Sequence, residues 1–86
     1  MLRILWDEPK RQANILKHSL DFAVLTEDFF AAATVVPAKA GRLMAIGDLD
    51  GVAVVVVVVF APLGSQALSV ISMLPAAPKE RNMAHG

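Results

Sequence analysis

Six consecutive valines, Val54–Val59, sit inside a stretch from Gly51 to Pro78 that carries no charged residue. Such a run suits either a membrane-crossing helix, which needs about 20 apolar residues, or a strand covered on both faces of a sheet. Pro62, Gly64, Ser65 and Gln66 cut the stretch into pieces of strand length. Valine's second Cβ branch also restricts χ1 in a way that favours strands over helices. The pattern predicts a central strand over Val52–Phe60 and no membrane span.

The rest of the chain is organised around that slab. Thirteen of the sixteen formal charges lie in residues 1–50 and the other three are Lys79, Glu80 and Arg81. Leu2–Trp6 reads as a short strand or entry segment. Asp7 stands where a helix N-cap belongs, with Glu8 and Pro9 in the first turn, and the helix is expected to run to about His18. At about 100° per residue, Lys10, Asn14 and Lys17 share an outward basic stripe with Arg11 and His18 beside it, and Ala13, Ile15 and Leu16 form the core arc. Asp21 caps an expected second helix from Phe22 to about Phe30, whose Phe22, Leu25 and Phe29 share a face. Thr34–Val36 reads as an extended piece within a connection. Arg42–Gly47 is an expected strand, Asp48–Gly51 a turn, Ala61–Ser65 a second turn and Ala67–Met73 a third strand. Lys79–Ala84 follows as a final helical turn or two.

Length bounds the architecture: 86 residues make a single small domain over 1–86. Eight basic and eight acidic side chains balance, which excludes nucleic-acid binding by bulk charge but leaves room for a local basic site. With no cysteine there is no disulfide framework, thiolate metal site or cysteine nucleophile. His18 and His85 are too few for a zinc site, so no metal or cofactor is expected. Asp7 and Glu8 interrupt any apolar opening segment, so the expected location is the cytoplasm.

Trp6-Asp7, Lys10, Asn14, Lys17-His18, Leu20 and Phe22 resemble the opening signature of the BrnT family, the toxin halves of bacterial type II toxin–antitoxin pairs. Gly41-Arg42, Ala45-Ile46-Gly47, Val70-Ile71-Ser72 and Lys79-Glu80-Arg81 extend the likeness over nearly the whole chain. The resemblance implies a RelE-like α+β fold. Its two N-terminal helices pack on a small antiparallel sheet, a meander, with a short C-terminal helix. It also implies a ribonuclease that cleaves RNA without a metal and is neutralised by a BrnA-like antitoxin, as a homodimer or a toxin–antitoxin hetero-oligomer.

Metal-free RNA cleavage needs a base for the 2′-OH proton, cations for the crowded phosphorane and an acid for the 5′-oxygen. Histidine ordinarily titrates near neutrality, which makes His18 the natural proton carrier. Lys17 and Arg42 join it as catalytic candidates, Arg42 because a guanidinium clamps phosphate with paired hydrogen bonds. Lys79 and Arg81 are candidates for flanking phosphates, and Lys10 and Asn14 for the antitoxin. The same residues have structural roles open to them: Lys17 and His18 suit the carbonyl end of a helix, and Lys79–Arg81 suits a solvated tail.

The departures from the family pattern fall where chemistry is expected. Met73-Leu74 stands for Ala-Arg, Ala61-Pro62-Leu63-Gly64 for a polar hairpin, Ala84 for a tyrosine and Ser19 for a glycine. A toxin-fold protein that binds its antitoxin without cutting RNA is therefore the alternative reading. Lost charges at Ala61–Leu63 and Met73–Pro75 also predict an exposed apolar surface prone to self-association.

Overall fold

Valine stacks well on a pleated, fully covered surface, and the valine run occupies the middle of the sheet. β4 (Val55–Pro62) lies between β3 (Leu43–Asp48) and β5 (Ala67–Pro75). Two short strands, β1 (Arg3–Trp6) and β2 (Thr34–Pro37), complete the order β1-β5-β4-β3-β2. The structure, a computed structural model, describes residues 1–49 and 54–85. Asp50 and Gly51 of the expected turn, and Val52 and Ala53 of the expected strand, lie outside the described residues. On either side of them the Leu49 N–H donates to the Val54 carbonyl at 3.2 Å.

Alternation along β4 divides the molecule into two layers. Val56, Val58 and Phe60 share one face with Ala45, Leu68, Val70 and Met73, beneath Phe22, Leu25 and Phe29. Val57 and Ile46 point to the other face and are buried there at 4% and 0% exposure, where α3 (Pro78–His85) packs on β3. Each wholly buried valine contributes about 1.5–3 kcal/mol. β5 carries one extra residue, Ile71, because Val59 pairs with Ser72 and Phe60 with Val70.

Two expectations about the sheet are corrected. It is not a three-strand antiparallel meander but a five-stranded mixed sheet, because β1 pairs parallel with β5. Thr34–Val36 is not a connection: it is the core of β2, an edge strand antiparallel to β3. Pro37 ends it, and the missing N–H is harmless at the end of an edge strand. Ala61 and Pro62 belong to β4, and the turn follows at Leu63, whose N–H donates to the Ala67 carbonyl at 2.8 Å. Gly64 supplies the positive φ of 70° that this turn requires.

The helices also differ from expectation in one respect. α1 (Glu8–His18) begins where Asp7 accepts a hydrogen bond from the Lys10 N–H at 3.2 Å. It ends at Ser19, which takes the left-handed conformation at φ 57°. The helix expected over Phe22–Phe30 is broken. A 3-10 turn, Phe22–Val24, is capped by Asp21, and α2 (Glu27–Ala32) restarts with Thr26 as its own cap. Leu25 is extended at the junction, so that Phe22, Leu25 and Phe29 all reach the core at 0%, 7% and 6% exposure. At α3, Pro78 occupies the first position, and the Glu80 carboxylate accepts from the Ala77 N–H at 2.8 Å, as in a capping box. None of the described helices is long and apolar enough to cross a membrane.

Candidate functional site

α1 is held by polar contacts rather than by an apolar stripe. Arg11 donates to both carboxylate oxygens of Asp21, Nε to Oδ1 at 2.7 Å and Nη2 to Oδ2 at 3.0 Å, and from Nη1 to Glu8 Oε2 at 2.6 Å. Those bonds, with the Ala23 N–H, hold the Asp21 carboxyl below its ordinary value and raise the Arg11 guanidinium above its own. Glu8 is likewise lowered, by hydrogen bonds from Gln12, Trp6 and Arg11. Trp6 spends its ring Nε1–H on Glu8 at 3.1 Å and packs edge-on against Phe22, as a core residue does.

This arrangement turns the helix from its expected orientation. Asn14 is buried at 6% exposure, while Leu16, expected in the core arc, is 87% exposed. The face toward the sheet is Arg11, Asn14, Ile15 and His18, which is helical in spacing but polar in composition. Asn14 is therefore no part of the outward stripe, which consists of Lys10 and Lys17.

Between α1 and β5 lies a groove of about 250 Å³ lined by Lys10, Ala13, Asn14, Lys17, His18, Ile71 and Ser72. Three of the expected basic residues meet here, with a serine hydroxyl opposite. Ser72 belongs also to the second sheet face, since its partner Val59 does. Pleat alternation puts Met44, Ser69, Leu5 and Arg3 on that same face, and Arg42 falls there too, one residue ahead of β3 with extended backbone. Arg42 does not line the groove: it stands two strands away from β5, about 10 Å by sheet spacing alone. Lys79 and Arg81 are exposed on α3, over the same face. Residues two apart project to opposite sides of a helix, so the two cannot grip neighbouring phosphates together from one face of α3.

A larger hollow of about 350 Å³ at Met1, Leu2, Glu27, Phe30, Ala31, Ser65 and Gln66 has a carboxylate and no basic side chain. No group of three His, Cys, Asp or Glu side chains among the described residues is placed to hold a metal ion.

Sequence reasoning missed Ser72 and Arg3. Ser72 was legible only as part of Val-Ile-Ser, and Arg3 becomes relevant once β1 is seen to run beside β5. It also expected Met73 to be exposed, whereas the side chain is wholly buried among the first-face residues. Leu63, from the other expected apolar patch, is exposed at 47%.

Residues 6–80 match the family described as "Ribonuclease toxin, BrnT, of type II toxin-antitoxin system". The chain belongs to the BrnT toxin family. Its fold is similar to the crystal structure of the Brucella abortus ribonuclease toxin BrnT, with a TM-score of 0.82 and 57% sequence identity. The match covers 90% of this chain and 99% of that one. No curated protein sequence matches significantly. The BrnT family is thus the setting for the groove, and membership of a type II toxin–antitoxin family implies an antitoxin as partner.

Proposed function

We propose that the chain is a ribonuclease toxin that cleaves RNA without a metal in the groove between α1 and β5, and that a BrnA-like antitoxin neutralises it by covering that side. The observation carrying this reading is the convergence of Lys10, Lys17 and His18 on Ser72 in one groove.

His18 takes the proton of a ribose 2′-OH. The freed oxygen attacks the adjacent phosphorus, forming a new P–O bond as the bond to the 5′-oxygen breaks. Lys17 donates a proton to that departing oxygen, and Lys10 offsets charge on the phosphorane. The products are a 2′,3′-cyclic phosphate and a free 5′-hydroxyl. Ser72 offers a hydroxyl to a phosphate oxygen, and Arg42 and Arg3 lie along the same sheet face to receive the strand beyond the cut.

A second reading, a toxin-fold protein that binds its antitoxin without cutting, is favoured by one feature. No arginine lines the groove, and arginine gives the paired hydrogen bonds that hold phosphate best.

The test uses purified protein, end-labelled single-stranded RNA and excess EDTA. Cleavage to cyclic-phosphate ends is expected, falling about 10²–10⁴-fold in His18→Ala, as for loss of a proton carrier. Intact RNA with the wild-type protein, together with growth on induction equal to that of a Lys17→Ala/His18→Ala/Arg42→Ala variant, shows that catalysis is lost and overturns the first reading.

A further inference from the structure

We infer that Asn14 is a positioning residue: it docks α1 onto an unpaired stretch of β5 and so sets Lys17 and His18 across the groove from Ser72. This rests on the reading of the groove as the RNA site.

β1 ends at Trp6, opposite Val70, and leaves the last residues of β5 without a strand neighbour on that side. Asn14 supplies what the missing strand would. The Met73 N–H donates to Asn14 Oδ1 at 3.0 Å, and Asn14 Nδ2 donates to the Met73 carbonyl at 3.0 Å. The same Nδ2 donates to the Leu20 carbonyl at 2.9 Å, tying in the chain just past the end of α1. A carboxamide sets an acceptor beside a donor much as a peptide group does, so Asn14 completes the sheet edge as one residue of a strand would.

The geometry links this clamp to the groove at both walls. Ser72 and Ile71 directly precede Met73 on β5. Lys17 and His18 follow Asn14 by three and four residues, one helical turn on and flanking it, and all three line the groove. α1 has almost no buried apolar side chain to hold it otherwise. Alanine at position 14 leaves the buried Met73 N–H and carbonyl and the part-buried Leu20 carbonyl without this partner. Aspartate keeps the acceptor for Met73 but turns a charge toward two carbonyls.

The experiment measures binding of a short single-stranded RNA to wild-type protein, Asn14→Ala, Asn14→Asp and Leu25→Ala, each well below its unfolding temperature. Leu25 is buried in the core on the opposite sheet face and lines no part of the groove, so Leu25→Ala controls for lost stability. Both Asn14 variants are expected to bind about tenfold more weakly or worse, while Leu25→Ala binds as wild type at an equal or lower Tm. Binding by Asn14→Ala within about twofold of wild type, or an equal loss in Leu25→Ala, overturns the inference. If the wild type binds no RNA, it is the RNA reading that fails. The clamp is then judged by the NMR resonances of Lys17, His18 and Ser72. These shift in the Asn14 variants and not in Leu25→Ala if Asn14 positions the groove, and unmoved resonances overturn that claim.

Discussion

Arg11 and Asp21 face each other as a two-pronged pair, the guanidinium donating at 2.7 Å and 3.0 Å to separate oxygens of one carboxylate. The pair closes the chain reversal between the first helix and the 3-10 turn, with Asp21 also capping that turn through the Ala23 N–H at 2.9 Å.

Acid is therefore expected to loosen the fold. The Asp21 and Glu8 carboxyls are held below their ordinary values in the folded chain, so the unfolded chain binds protons first as pH falls. Their stabilisation is complete above the unfolded carboxyl range and is lost as pH falls through the depressed folded values. Thermal unfolding followed from pH 7 downward checks this, and Asp21→Asn is expected to lower Tm at neutral pH and flatten the acid slope.

Ser19 ends α1 in the left-handed region at φ 57°. Glycine has no Cβ to crowd the following carbonyl there, so Ser19→Gly is expected to stabilise the protein by about 1 kcal/mol. A denaturant midpoint raised at unchanged slope is the measurement.

Gly47 lies where β3 passes under α2. A Cβ at this position meets the Ala33 Cβ at 3.3 Å and the Phe29 ring at 3.5 Å. Gly47→Ala is expected to cost about 1 kcal/mol by pushing these elements apart, and Gly47→Val more. Urea unfolding of both variants checks the order.

Leu16 offers the opposite expectation. At 87% exposure it packs on almost nothing, so Leu16→Gln is expected to change stability by no more than about 0.5 kcal/mol in the same assay.

Salt dependence tests the groove's cations. If Lys10 and Lys17 each neutralise one phosphate, replacing either by alanine lowers the slope of log affinity against log salt by about 0.7 for single-stranded RNA. Anisotropy titrations across a salt series measure it.

The parts of the fold legible in the sequence were those written locally. The valine strand, the Asp7 cap and the Phe22, Leu25 and Phe29 set were all readable, the last even though the helix assumed to carry it is broken at Leu25. Asn14 was misread because periodicity sorts a polar side chain outward. Its burial depends on Met73, 59 positions later, where a strand edge is left open. β2 was legible as an extended piece but not as part of the sheet, because four residues ending in proline show no clear alternation and the partner that makes them a strand is β3. The basic cluster of α1 was visible, but Ser72 joined it only through the pairing of the chain's two ends.

The parallel contact between the first and last strands has a bearing on synthesis. One wall of the groove is translated at the start of the chain and the other, Ile71 and Ser72, near its end. A nascent chain still short of β5 lacks the Met73 backbone groups that Asn14 binds, so the two walls of the groove come together only once β5 has emerged.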